Sequence, residues 1–410
     1  MSRRRVVVTG MAGISPIGNN WPDVERALRA RRNAVRFMDE WDDIAGLNTR
    51  LGAPATPFDL PEHYSRKRTR SMGRVALMAC LASEWALADA GLLDHPALTS
   101  GRTGVSYGSS TGEPAAVANF LRLLEDRTLD GITANSYLRM MAHTAPVNIA
   151  VFFGLTGRVI TTSSACTSGS QGIGYAYEAI RYGHADVMIA GGTEELCASE
   201  AAVFDALFAT STRNDAPATT PRPYDRDRDG LVIGEGAGTL ILEELEYARA
   251  RGARIVAEVV GFGTNCDGAH VTQPQAETMA TAIRLALADA ELPAKAIGYV
   301  NGHGTATDLG DIAESCATHA VFGENIPMSS LKSYMGHTLG AAGALEAWIT
   351  IEMMCTGWFA PTLNLDHVDP RCAPLDYMRG DGRALNCEYT MSNNFAFGGI
   401  NTSLIFKRWI

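Results

Sequence analysis

Thr161-Thr162-Ser163-Ser164-Ala165-Cys166-Thr167-Ser168-Gly169-Ser170 follows the short apolar run Gly157-Arg158-Val159-Ile160. The succession predicts a strand over 157–162, a tight turn carrying a cysteine, and a helix running to about Tyr182. A thiol at such a turn sits where helix N–H groups and the positive end of the helix dipole converge. That placement is expected to lower its pKa and make the thiolate a usable nucleophile. Most cysteines are instead buried structural residues. Segments far along the chain decide between the two.

Outward from this turn, strands and helices alternate. Before it, the pattern predicts a strand over 5–9 ending at Gly10, helices over 21–31 and 72–90, a strand over 103–107, a helix over 113–125, a loop over 126–140 and a helix over 143–154. After it come a strand over 185–190 and a polar loop over 211–230 that divides the chain near its middle. The pattern then restarts with strands over 238–242, 254–263, 297–301 and 327–330, helices over 244–251, 276–290, 308–321 and 338–355, and strand-like segments near 388–393 and 402–407. This alternation is that of an α/β protein with largely buried sheets. The similar succession on both sides of the polar loop predicts two related halves, 1–250 and 251–410, sharing one core.

Composition narrows the function. A net charge of −10 over 410 residues argues against general nucleic-acid binding. The basic start Met1-Ser2-Arg3-Arg4-Arg5 leads only into the strand-length Val6-Val7-Val8, too short for a secretion signal, and no run reaches the roughly 18 apolar residues of a membrane span. The expected compartment is the cytoplasm. The eight cysteines are scattered without zinc-type spacing, so free thiols and no metal site are expected.

Three further segments carry chemistry. Tyr299-Val300-Asn301-Gly302-His303-Gly304-Thr305-Ala306-Thr307-Asp308 runs a strand into a histidine between two glycines. Ser330-Leu331-Lys332-Ser333-Tyr334-Met335-Gly336-His337 places a second histidine before the small-residue helix start Leu339-Gly340-Ala341-Ala342-Gly343-Ala344. Ser392-Asn393-Asn394-Phe395-Ala396-Phe397-Gly398-Gly399-Ile400-Asn401 offers backbone N–H groups and aromatic rings beside glycines. Taken singly, His303 reads as a core histidine, His337 as a helix cap, Lys332 as a surface lysine, and Phe395 and Phe397 as core. Together they sit at strand ends, where α/β proteins build sites. A cysteine nucleophile with two imidazoles suits acyl-thioester chemistry.

These four segments, Ala165-Cys166-Thr167-Ser168-Gly169, His303-Gly304-Thr305-Ala306-Thr307, Lys332-Ser333-Tyr334-Met335-Gly336-His337 and Phe397-Gly398-Gly399, resemble the thiolase-fold condensing enzymes, closest to the β-ketoacyl-[acyl-carrier-protein] synthase I/II type. The resemblance covers nearly the whole chain and implies a five-layered αβαβα fold. It implies that Cys166 takes an acyl chain from a carrier thioester, and that His303 and His337 stabilise the enolate formed by decarboxylation of malonyl-[acyl-carrier protein]. Backbone N–H groups of Cys166 and Phe397 would form the oxyanion hole. Lys332 would be a fixed charge paired with Glu314 or Glu346. Thr305 and Thr307 would contact pantetheine, Phe397 would gate the site, and Phe204, Phe395, Met140 and Thr111 would line the substrate path. No resident cofactor is implied, since phosphopantetheine arrives on the carrier. The product class is fatty acid, polyene or polyketide. The implied assembly is a homodimer, or a heterodimer with a chain-length-factor-like subunit. A non-catalytic partner subunit is the alternative reading, but such partners lack the cysteine. A thiol hydrolase or protease leaves both histidines unexplained.

An acidic carrier calls for a basic landing patch. Arg66, Lys67, Arg68, Arg70 and Arg74 cluster in an otherwise acidic chain, with Lys67 and Arg70 best aligned and Arg213 and Arg228 as weaker candidates. The chain departs from the resemblance at three points. Phe208 stands where an arginine is usual, Ala396 where the gate has glycine, and Thr111, with Met140 and Met141 nearby, where the pocket is ordinarily apolar.

Overall fold

The computed structural model of the chain describes residues 3–410, so Met1 and Ser2 of the basic start lie outside the described residues. The first half builds strands β1 (Val6–Ile14), β2 (Thr103–Gly108), β3 (Val159–Thr162), β4 (Val187–Glu194) and β5 (Gly236–Glu244). The second builds β6 (Ala257–Cys266), β7 (Ile297–Asn301), β8 (Pro327–Ser329), β9 (Tyr389–Phe395) and β10 (Ile400–Arg408). Across the sheet the orders are β3-β2-β4-β5-β1 and β8-β7-β9-β10-β6. Counted within its own half, each order is third-second-fourth-fifth-first. In each half the second strand pairs in parallel with the third and the fourth, and the fifth pairs antiparallel with the fourth and the first. The repeat that is faint in the residues is thus explicit in the strand pairing. The two five-stranded units join where β1 meets β6 over Val6–Val8, and a short edge strand, Asp376–Tyr377, pairs with β8 to complete one eleven-stranded ladder.

Three helical layers enclose the strands. Outside the first unit lie α1 (Arg74–Asp89) and, past a short helix α2 (Ala134–Met140), α3 (Thr144–Phe153). Between the two units lie α4 (Ser168–Arg181) and, later in the chain, the helix Ala342–Thr356. After α5 (Ala198–Asp205), helices α6 (Ala276–Asp289) and α7 (Asp308–Phe322) cover the outside of the second unit. The helix Ala342–Thr356 is α8. It is apolar almost all round and buried over nearly its whole length, as a helix between two sheets must be. Three apolar clusters match the three helical layers, so each sheet face finds a partner.

The strands extend further than their apolar runs. β1 continues through an irregular register at Gly10 to Ile14, and β4 runs through Gly191-Gly192 to Glu194. The expected loop over 126–140 contains α2, whose Thr133 and Ser136 cap each other's backbone. A seven-residue helix carries too little periodicity to stand out in sequence. The polar segment over 211–230 is irregular, as read, but it is no divider. Tyr224 and Asp225 within it are fully buried.

Candidate active site

Cys166 sits in a short turn, Ala165–Thr167, between β3 and α4, with Ala165 in the left-handed region at φ 49°. The segment ahead of α8 is tied to the same place by Glu194 at the end of β4. One carboxylate oxygen of Glu194 accepts the N–H of Gly340 at 2.9 Å and of Ser110 at 2.7 Å. His337, three residues earlier, is held by backbone bonds on both sides: its N–H donates to the Val232 carbonyl and its own carbonyl accepts the Gly234 N–H. β7 delivers His303 from the other half. The reactive atoms of Cys166, His303 and His337 lie within 4.8 Å of one another, and the two imidazole rings meet edge-on at 5.0 Å.

The electrostatics differ from the expectation for the thiol. Burial pushes Cys166 up to about 11. The backbone N–H groups of Phe397 and Cys166 and the charge of Lys332 pull it down, but not enough. The lowered pKa expected from the turn is therefore corrected. Desolvation of a thiolate in a closed site outweighs two N–H groups and one ammonium. Both histidines are held well below the usual imidazole range, by burial first and then by Lys332, with His337 adding to the effect on His303. They are neutral. The Leu339 N–H points at His337 Nδ1 at 3.3 Å and the Asn394 amide approaches His303 Nδ1 at 3.4 Å, which places the ring proton on Nε2. His337 Nε2 is buried and, among the described residues, has no protein partner. A thiol and two imidazoles this close would also suit a divalent ion. A metal-bound histidine, however, donates its other ring N–H to an acceptor. His337 Nδ1 faces a donor instead, so the pair is built to donate, not to ligate.

Lys332 and Glu346 form a fully buried ion pair at 2.5 Å, and Asn394 donates to the other Glu346 oxygen at 2.7 Å. Of the two partners expected for Lys332, Glu346 is the one present. Glu314 has a different task. It accepts the N–H of His303 at 2.6 Å and of Gly304 at 2.7 Å, and the Tyr224 hydroxyl at 2.8 Å. Burial pushes Glu314 up to about 7 against the pull of those donors. Asp311, one turn earlier on α7, accepts the N–H groups of Thr305, Ala306 and Tyr224. Gly302 and Gly304 are needed because Tyr224 presses against them: a Cβ at either would lie 2.4–2.5 Å from its hydroxyl. Tyr224, Asp311 and Asn394 escaped sequence reasoning. The signal for the acids was the i, i+3 pair Asp311 and Glu314 at the start of the helix after His303.

A cavity of about 530 Å³ leads to Cys166, walled by His303, His337, Thr305, Thr307, Phe204, Phe395 and Phe397. The Thr305 and Thr307 hydroxyls are 2.9 Å apart. The Phe397 ring, 39% exposed, meets Phe204 edge-on at 6.0 Å. Ala396 packs with Cys166, Leu339 and Ala201, while Gly398 and Gly399 take the left-handed positions of the gate turn. Thr111 and Met140 lie off this cavity. Thr111 donates to Glu200 at 2.9 Å, and the turn behind it rests on the backbone at Arg139–Met141.

The basic cluster divides. Arg66, Lys67 and Arg70 are exposed and have no side-chain partner among the described residues. Arg68 stacks 3.7 Å over Phe152, and Arg74 is paired with buried Glu235. Arg74 spends its charge on Glu235, whereas Arg68 is exposed and keeps its charge, with no acidic partner among the described residues. Arg228 is ruled out as a docking residue: its side chain is 1% exposed and bound to Asp369. Arg213 pairs with Asp229.

Neutral N–H donors facing a buried thiol in a cavity of this size define a centre for acyl-thioester transfer. The comparisons agree. The family model for the β-ketoacyl synthase N-terminal domain matches residues 3–248, and that for the C-terminal domain matches 256–366. The chain is 39% identical over 416 residues to 3-oxoacyl-[acyl-carrier-protein] synthase 2 of Vibrio cholerae, covering 100% of both. It superposes with TM-score 0.98 on a β-ketoacyl synthase crystal structure from Burkholderia phymatum, at 60% identity over 99% of this chain and 100% of that one. With the ishigamide ketosynthase/chain length factor the TM-score is 0.90 at 33% identity, covering 100% of both chains. The chain belongs to the β-ketoacyl synthase family, with the thiolase-like fold.

Proposed function

We propose that this β-ketoacyl synthase elongates acyl chains by decarboxylative condensation at Cys166, with malonyl-[acyl-carrier protein] as the extender. The observation that carries the reading is the convergence of one buried thiol with two neutral Nε2–H donors. In the first step Cys166 Sγ attacks the acyl thioester. The S–C bond to the carrier breaks, and the thiol proton passes to the departing pantetheine sulfur. The tetrahedral oxyanion is met by the N–H groups of Cys166 and Phe397, each such donor contributing about 10²–10³ in rate. In the second step the malonyl thioester loses CO2. Its electron pair moves onto the thioester oxygen, which His303 and His337 hold by donation. The enolate carbon attacks the acyl-Cys166 carbonyl, the oxyanion collapses, and the Cys166 thiolate leaves and takes up a proton. A thiol of raised pKa is a strong nucleophile once ionised and returns readily to its resting form.

Lys332, neutralised by Glu346, fixes the potential around the histidines. Thr305 and Thr307 bind the pantetheine arm, Phe397 gates the second step, and Phe204 and Phe395 flank the path. Thr111, with Met140 near it, tunes the acyl end through Glu200. The site uses no cofactor of its own. The halves divide at 250–251, and the protein works in the cytoplasm, where an acidic carrier lands on Arg66, Lys67 and Arg70. A dimer is supported by β3, an edge strand of the sheet with Val159 exposed, and by the exposed Val151 on α3, which packs against it. Either a homodimer or a heterodimer with a chain-length-factor-like subunit would cover that edge. The test is intact-mass analysis after exposure to a panel of acyl-carrier thioesters. One acyl adduct is expected on wild type and none on Cys166→Ala; an adduct on that variant sinks the assignment.

A further inference from the structure

Around the mouth of the cavity the surface is apolar. Leu207, Phe208, Val271 and Leu309 line the opening and are exposed, Phe208 to 88%. Phe208 ends α5. It lies in the left-handed region at φ 53°, with its N–H donating to the Asp205 carbonyl and the Ala209 N–H to the Phe204 carbonyl. Glycine is the residue such a helix end favours. An aromatic ring there bears the strain of the conformation and, being exposed, gains little packing within the chain in return. A large apolar side chain kept in water at a strained position, at the mouth of the cavity that reaches the nucleophile, is arranged for something outside the chain.

The charges at the mouth say what it is not arranged for. The carboxylates lining the cavity are Asp229, Asp267, Asp308, Asp311 and Glu314, against a single arginine. That arginine, Arg228, is buried and held by Asp369 at 2.6 Å and by the Thr307 carbonyl at 3.1 Å. Arg213 and Arg371 are spent on Asp229 and Asp308, at 3.4 and 2.6 Å, so among the described residues the rim offers no unpaired cation to a carboxylate of an incoming protein. Electrostatic complementarity therefore favours an apolar contact at this point.

We propose that Phe208, with Leu207, Val271 and Leu309 around it, is a docking contact for the carrier protein, and that it selects a carrier presenting an apolar side chain where it faces the mouth. This rests on the carrier-dependent condensation proposed above. The exposed Arg66, Lys67 and Arg70 then act as the long-range attraction, while the rim gives short-range discrimination.

The test uses the full chain and a phosphopantetheinylated, fluorescently labelled acidic type II acyl-carrier protein, with each of its surface carboxylates replaced by leucine in turn. Binding is read by anisotropy for wild type, Phe208→Arg and Phe208→Ser, and melting temperatures check that the exposed substitutions leave the fold intact. At one carrier position, leucine is expected to tighten binding to wild type at least threefold and to weaken binding to Phe208→Arg. Phe208→Ser is expected to lose the preference, and Phe208→Arg to bind the unmodified carrier more tightly and with a steeper salt dependence. A carrier profile identical in all three proteins overturns the contact. Condensation of carrier-free acyl- and malonyl-pantetheine thioesters is measured separately. A flat binding profile with that turnover present counts against the docking contact alone. Absent turnover with the binding pattern present counts against the condensation reading alone.

Discussion

The loop that carries His303 and the turn that carries Phe397 face each other across one cavity and are built in opposite ways. The His303 loop is buried and over-determined. Glu314 and Asp311 between them accept four of its successive backbone N–H groups, and Tyr224 fills the space against its glycines. The gate turn is partly exposed. Gly398 and Gly399 both lie at positive φ, at 93° and 80°, and no atom outside the turn approaches within 4 Å of where a Gly398 Cβ would be. One wall is locked by buried carboxylates; the other is held by backbone bonds alone, Gly398 N–H to the Val271 carbonyl and Asp267 N–H to the Gly399 carbonyl, with open space at Gly398. Enolate stabilisation needs donors already in place when charge develops, because reorganising them during the reaction costs rate. Admission of two substrates in turn needs a part that opens.

Three changes break or sharpen this contrast. The largest effect is expected at the thiol, which shares the fixed, dry side. With its pKa at about 11, Cys166 is thiolate in only roughly one molecule in 10⁴ at pH 7, against one in about 30 for an ordinary thiol. Alkylation of Cys166 by iodoacetamide should rise about tenfold per pH unit from 8 to 10. A plateau for Cys166 near 8.5 would show the site to be wetter than described.

Next comes Glu314→Gln, which keeps the shape but sets an amide N–H₂ against a backbone N–H that now donates to a carboxylate oxygen. The malonyl decarboxylation rate should fall about 10–100-fold with KM little changed, since the loss is one of donor alignment. A normal rate would mean that the His303 loop holds its own shape. The smallest effect belongs to Gly399→Ala, whose new Cβ would lie 2.8 Å from that of Asp267. Strain of about 1 kcal/mol in the gate turn should slow condensation roughly threefold and decarboxylation less. Equal losses in both would make the gate part of the fixed wall.

The same contrast explains what could be read from sequence. The reactive residues stood out because Cys166, His303, Lys332 and His337 sit at strand ends beside glycines, and the strand–helix alternation gave the α/β class. The supports did not stand out. Tyr224 lies in a polar segment whose composition reads as surface, and its burial depends on a carboxylate 90 residues away. The pKa of Cys166 was misjudged because the turn's N–H groups are local and visible, whereas burial is contributed by both halves at once. Arg68 and Arg74 look no different from Lys67 in sequence. Only Phe152 and Glu235, distant in the chain, set them apart: the first holds Arg68 in place and the second neutralises Arg74.

The central claim is a division of labour between a nucleophile and two fixed donors. It is tested most directly by measuring CO2 release from malonyl-[acyl-carrier protein] by Cys166→Ala and by His337→Ala. Cys166→Ala should continue to release CO2 and form no β-ketoacyl product, while His337→Ala should lose about 10²–10³ in decarboxylation. Decarboxylation that vanishes with the thiol and survives without the imidazole would contradict the account.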